Sequence, residues 1–138
     1  MQWDSSEHAG FTDGTPWIKL NPNYKEINVK NALEDRNSLF YYYQKLIRLR
    51  KEYDVIIDGK YELLYPNDEQ VYAYTRTLGD ETLLVIANFT KETPRFVVPK
   101  EISYTECELL INNYEVESGD ISEIDLKPYE ARAYLLRK

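Results

Sequence analysis

The sequence predicts a mainly β fold, an antiparallel β-sandwich preceded by a long loop and a single helix. Three observations carry that expectation. Apolar residues recur at helical spacing only once, over residues 35–52, and beyond Val55 the period falls to two and stays there. The charge changes at the same place: residues 1–52 hold seven acidic and eight basic side chains, and residues 53–138 hold seventeen and nine. Ahead of the helix runs a stretch rich in Gly, Pro, Asn and aromatic residues with no regular period. The predicted division is therefore 1–52, loop and helix, and 53–138, a β domain.

Residues 1–34 read as irregular, with His8-Ala9-Gly10-Phe11 and Pro16-Trp17-Ile18 as aromatic anchors joined by turns. A free loop of that length is unusual, because its backbone groups need partners and its ordering is opposed by entropy. It is expected to be the lip of a larger body whose bulk lies upstream. The helix is expected to start near Asp35, as N-cap with Glu34 beside it, and to run to about Glu52. Leu39, Tyr42, Tyr43, Leu46, Ile47 and Leu49, followed by Tyr53, make a wide apolar stripe, with Arg48 and Lys51 opposite. Strands are predicted over Tyr61–Tyr65, Gln70–Thr77, Thr82–Phe89, Arg95–Val98, Tyr104–Ile111 and Ala131–Leu136, with a weaker one over Ser122–Leu126. Leu78-Gly79-Asp80 is a tight hairpin connection. The third strand is apolar on both faces for most of its length and is expected to be central. Short antiparallel strands at this density indicate a sandwich.

Composition narrows the function. With 43% hydrophobic and 30% charged residues and a formal charge of −7, the chain has a real core and a poor footprint for nucleic acid. The cluster Lys45, Arg48, Arg50 and Lys51 falls in the last turns of the helix, where cations complement the dipole. No apolar run approaches membrane-spanning length, so no membrane is expected and the location is read as cytoplasmic. One cysteine, Cys107, excludes an intramolecular disulfide and is expected in the core or half-buried. Asn88-Phe89-Thr90 matches the glycosylation triplet but falls at a strand end, with no other sign of a secretory route.

No nucleophile elbow, P-loop or dinucleotide fingerprint is present, and no cofactor or metal is expected. His8 is the only histidine, readable as a donor at a pocket rim or as a loop residue bonding locally. Paired carboxylates are the remaining possibility, since glycoside hydrolysis needs two of them across the scissile bond. Asp4, Glu7 and Asp13 share one loop without the apolar surroundings that would raise a pKa. Glu106 and Glu108, or Glu115 and Glu117, are i,i+2 neighbours that read as a solvated surface.

The ordered set Met1-Gln2-Trp3-Asp4, His8-Ala9-Gly10-Phe11-Thr12, Pro16-Trp17-Ile18, Asn21-Pro22-Asn23-Tyr24 and Ile27-Asn28-Val29 resembles the α-glucosidases of glycoside hydrolase family 13, the α-amylase family. The nearest branch looks like oligo-1,6-glucosidase. The helix Ser38–Lys51 is similar to that family's eighth barrel helix. Tyr72-Ala73-Tyr74, Val85–Thr90, Leu109–Tyr114 and Leu126–Ala131 extend the resemblance over essentially the whole chain. The resemblance implies a (β/α)8 barrel upstream, of which 1–34 is the end of the last loop and 35–52 the last helix. It implies that 53–138 is a β-sandwich of the α-amylase C-terminal type. The family's nucleophilic Asp, acid/base Glu, stabilising Asp and usual calcium site lie on earlier strands, and none maps onto a position here. Trp3, Asp4 and His8 would shape the pocket rim of the parent enzyme.

The expectation is therefore the non-catalytic C-terminal portion of an enzyme performing retaining hydrolysis of terminal α-glucosidic bonds, inert on its own. Sucrose, trehalose 6-phosphate and isomalto-oligosaccharide enzymes share this C-terminal pattern, so the linkage stays open. Two alternatives compete. A carbohydrate-binding module predicts a platform of coplanar exposed aromatics. A structural or interaction domain predicts that the aromatics are buried and that the Leu39–Leu49 face is packed. The expected partners are the missing barrel domain and, through the exposed helix face, a second copy of the chain.

Overall fold

A computed structural model describes residues 1–117 and 119–138 and divides the chain into two compact units, Met1–Arg48 and Leu49–Lys138.

In the second unit, seven strands form two antiparallel sheets: β1 Lys60–Leu64, β2 Val71–Leu78, β3 Glu81–Asn88, β4 Arg95–Val97, β5 Glu106–Asn112, β6 Glu123–Asp125 and β7 Ala131–Arg137. The larger sheet has the order β1-β2-β3-β7-β5, and β4 pairs with β6 in the smaller one. All seven predicted strands are present. β3 is central, flanked by β2 and β7, because it has apolar residues to bury on both faces. Leu84 and Ile86 are fully buried on one side, and Leu83 is 4% exposed on the other. The β2–β3 hairpin closes through Gly79-Asp80, with Leu78 opposite Glu81 and Gly79 at φ +58°, the two-residue turn that suits strand twist.

The sandwich is lopsided. Val71, Ala73, Leu84, Ile86, Tyr134 and Leu136 of the large sheet meet Phe96, Val98, Ile121, Ile124 and Leu126 around the small one. A polar lock closes one end of this core. Glu130 is fully buried, and its carboxylate accepts from the Lys127 amide at 2.7 Å and from Arg132 Nε at 2.8 Å. Asn88 is also buried; its Nδ2 donates to the carbonyls of Glu92 and Lys127, and its Oδ1 accepts from the amide and hydroxyl of Thr90. With every polar atom engaged, Asn88 is a structural residue and not a glycan acceptor.

Three expectations are corrected. A short helix, α1 (Val29–Glu34), lies inside the segment expected to be irregular; Asn28 caps it by accepting from the Asn31 amide at 2.9 Å. Asp35 is therefore the C-terminal cap of α1 and not the start of the long helix. Its backbone is extended, and its carboxylate accepts from the Asn37 amide in a turn. The long helix, α2, begins four residues later and spans Leu39–Glu52. A further turn of helix, α3 (Val55–Asp58), precedes the first strand, and Arg76 of β2 donates to the Val55 and Ile57 carbonyls. Cys107, expected in the core or half-buried, is exposed. It sits near the start of edge strand β5 and lines a cavity that it shares with Glu123, Ile124 and Asp125 of β6. Partial burial still pushes its thiol pKa up, so the reactive thiolate is disfavoured.

Candidate functional site

Within Met1–Arg48, the segment carrying Trp3, Asp4 and His8 is folded by its own backbone. The first amides of α1 take up its carbonyls: Val29 N–H donates to Gln2 O and Lys30 N–H to Trp3 O, both at 3.0 Å. Trp3 N–H in turn donates to Ala9 O at 3.0 Å, which folds residues 3–9 into a closed loop. At the end of that loop, three consecutive residues lie in the left-handed region: His8 at φ 59°, Ala9 at φ 56° and, just beyond it, Gly10 at φ 72°. For the two that are not glycine this costs about 1–2 kcal/mol each. Such strain persists only where the surroundings over-determine the conformation. Ala9 is fully buried, and its amide donates to Ser6 O.

The loop brings all three expected rim residues into one turn. Trp3 is half exposed, and His8 Nε2 lies 3.7 Å from the Glu7 carboxylate. Asp4 Oδ1 accepts from both the amide and the hydroxyl of Ser6, and the Ser6 hydroxyl bond leads in holding the carboxyl below its usual range. Asp4 is thus an anion at neutral pH, suited to accept hydrogen bonds and unsuited to donate a proton. Two cavities in this unit are lined by other residues than Trp3, Asp4 and His8. One, about 550 Å³, runs along Met1, Ile27, Val29, Leu39, Tyr43 and Ile47; the other, about 650 Å³, along Phe11, Pro16, Trp17, Ile18 and Leu20.

Carboxylates share a cavity in the β unit, where Glu117, Asp120, Glu123 and Asp125 border about 300 Å³ of space with Arg132 and Tyr134. For the two aspartates the surroundings argue against proton donation. Hydrogen bonds from Ser122 hold Asp120 below the usual carboxylate range, and those from Arg95 hold Asp125 there. A general acid working at neutral pH needs the opposite shift. Among the described residues no group of three or more His, Cys, Asp or Glu side chains is placed to hold a metal ion.

The aromatic cluster on the outer face of β1–β2 is not a stacking platform. Tyr61, Tyr72 and Tyr74 lie 5.3–5.6 Å apart but are tilted by 37° and 53°, and Phe89 stands at 77° to Tyr72. The Tyr61 and Tyr72 hydroxyls bond each other at 3.0 Å. The sequence pointed to Trp3, Asp4 and His8 as expected rim residues and gave no place to Ser6 and Gly10, which contact Asp4. The Asp-x-Ser spacing of Asp4 and Ser6, typical of a side chain bonding the backbone two residues on, was the available signal.

A helix-led segment followed by a five-plus-two-stranded antiparallel sandwich is the C-terminal architecture of an α-amylase-type glycosidase. Residues 1–59 match the profile of the alpha amylase catalytic domain, and residues 71–132 that of the alpha-amylase SusG C-terminal domain. The chain belongs to the α-amylase family, glycoside hydrolase family 13. It is 59% identical to an oligo-1,6-glucosidase of Parageobacillus thermoglucosidasius and 56% identical to one of Bacillus cereus, over 99% of this chain and 25% of each relative. The crystal structure of Bacillus licheniformis trehalose-6-phosphate hydrolase superposes with a TM-score of 0.92 at 44% identity, over 99% of this chain and 25% of that one. The chain thus spans about a quarter of the length of these relatives. Among the described residues no helix is long and apolar enough to cross a membrane.

Proposed function

We propose that this chain is the non-catalytic C-terminal portion of an α-glucosidase of the oligo-1,6-glucosidase kind. The whole enzyme hydrolyses terminal α-glucosidic bonds of small oligosaccharides, and this portion is inert alone. One observation carries the reading: in Met1–Arg48 the only buried residues are Ala9 and Asn28, neither of them a large apolar side chain. Trp17 is 93% exposed, Leu39 76% and Tyr43 63%. A segment with a defined backbone and no core of its own is built to lie on another body. The 59% identity to a much longer oligo-1,6-glucosidase supports a barrel domain as that body. On this reading residues 1–52 complete the barrel, 53–138 form the attached sandwich, and Trp3, Asp4 and His8 border the pocket. Deprived of the barrel, the apolar groove drives self-association into a homodimer, which sedimentation over a range of concentrations detects. An exposed unpaired thiol at Cys107 suits a reducing, cytoplasmic setting.

The test is turnover of isomaltose and of a nitrophenyl α-glucoside. The 138-residue chain gives none above the buffer blank, and the longer protein that carries this segment hydrolyses both. Turnover by the isolated chain overturns its inertness; a longer protein inactive on every α-glucoside overturns the glycosidase reading.

A further inference from the structure

Asp4 sits on loop backbone, yet its carboxylate is gripped from two sides. On one side Ser6 donates to Oδ1 from its amide at 2.9 Å and from its hydroxyl at 2.5 Å. On the other side Gly10 packs against it: a Cβ at Gly10 would stand 3.3 Å from both Asp4 carboxylate oxygens and 3.1 Å from Trp3 Cβ. That is tighter than side chains ordinarily tolerate, and the left-handed φ of +72° adds to the demand for glycine. The buried, left-handed Ala9 brings Gly10 to this place, because its carbonyl is tied to the Trp3 amide. The Ser6 bonds both go to Oδ1, so Oδ2 keeps its acceptor capacity, and the charge of Lys30 nearby also favours the ionised carboxyl.

We propose that Ser6 and Gly10 are positioning residues that hold the Asp4 carboxylate in place, leaving Oδ2 to accept a hydrogen bond from a sugar hydroxyl. This rests on Asp4 bordering the substrate pocket. A loop that merely spanned two anchors would gain nothing from two strained left-handed residues. Here the strain closes the turn that places Gly10 beneath the carboxylate.

The experiment uses the full-length enzyme carrying this segment. Asp4→Asn and Gly10→Ala are each expected to raise KM for isomaltose about tenfold or more with kcat within about twofold, the signature of lost binding shared by ground and transition states. The double variant is expected to be no worse than Asp4→Asn, because both changes remove one interaction. Ser6→Ala raises KM about threefold and moves the acid limb of kcat/KM to higher pH, since removing a donor from the ionised carboxyl raises its pKa. Gly14→Ala, whose Cβ would meet only Thr12 Oγ1 at 3.7 Å, changes neither. Additive effects in the double variant, or equal effects from Gly14→Ala, overturn the proposal. Should Gly10→Ala not fold, Ser6→Ala decides: unchanged KM and an unmoved acid limb overturn it. The Asp4 carboxyl titration, followed by NMR with labelled aspartate, reads positioning without turnover. Unmoved in Ser6→Ala, it overturns the proposal even if the wild type proves inactive. That inactivity by itself would instead retire the α-glucosidase reading, and a silent Asp4→Asn in an active enzyme would retire the rim role of Asp4.

Discussion

The two units of this chain solve the same problem in opposite ways. Leu49–Lys138 buries large side chains from both sheets, with Leu84, Ile86, Leu126, Leu135 and Leu136 at 2% exposure or less. Met1–Arg48 reaches a defined shape through backbone bonds and caps, and leaves Met1, Trp17, Leu39 and Tyr43 largely in solvent. Hydrophobic burial is the dominant favourable term in folding, and hydrogen bonds add little net stability because water competes for them. A segment held by hydrogen bonds alone has shape without stability.

Excision gives the sharpest break of that comparison. Residues 49–138 expressed alone are expected to unfold in one cooperative step, with a free energy within the usual range of about 5–15 kcal/mol. Residues 1–48 alone are expected to have a folding free energy near zero. Amide hydrogen exchange checks both: slow exchange in β2, β3 and β7, and exchange near the unstructured rate in the excised 1–48. Protected amides throughout α1 and α2 in that peptide would show that caps and turns suffice.

A pair of leucines sharpens the contrast at single-residue scale. Leu84→Ala empties a fully buried site in the central strand and is expected to cost about 2–5 kcal/mol. Leu39→Ala removes the same atoms from a position 76% exposed and is expected to stay within about 0.5 kcal/mol in the isolated chain. Chemical denaturation of both variants reads the difference. If a barrel covers this helix, as proposed, the Leu39 variant is expected to become costly in the longer enzyme. A Leu39→Ala effect that is the same in both proteins would mean that nothing upstream packs on this helix.

What the sequence made legible follows the same line. All seven strands were readable because alternation is local: Tyr72 and Tyr74 face outward while Val71, Ala73 and Thr75 face the core. The helical stripe was readable as a stripe, but periodicity says which side is apolar and not what covers it. α1 escaped notice because six residues carry too little period, although Asn28 marked its start. The polar lock of Glu130 with Lys127, Arg132 and Asn88 was invisible, since a buried carboxylate bonded to neighbours two and three residues away looks in sequence like any surface one, and Asn88 joins it only from β3. At the candidate site, the sequence named Trp3, Asp4 and His8 as expected rim residues. The left-handed turn that gathers them was not legible, because Ala9 has no intrinsic preference for that conformation.

The smallest expected effect tests electrostatics at the rim of the β unit. Arg95 of β4 donates to both Asp125 oxygens across the β4–β6 pair, at 2.8 and 3.2 Å, and to Glu123 at 3.3 Å. That hydrogen bonding holds the Asp125 carboxyl below its usual range. An acid whose folded pKa is depressed stabilises the fold above its unfolded value, about 3.9, and the contribution disappears as pH falls through the folded pKa. Both side chains are mostly exposed, so water and salt weaken the pair. Arg95→Ala is therefore expected to destabilise residues 49–138 slightly at about pH 6, with the gap closing at about pH 2 and narrowing in high salt. Denaturant midpoints of wild type and variant at the two pH values measure it. A gap that does not change with pH would mean that Arg95 acts through the packing of its alkyl chain and not through its charge.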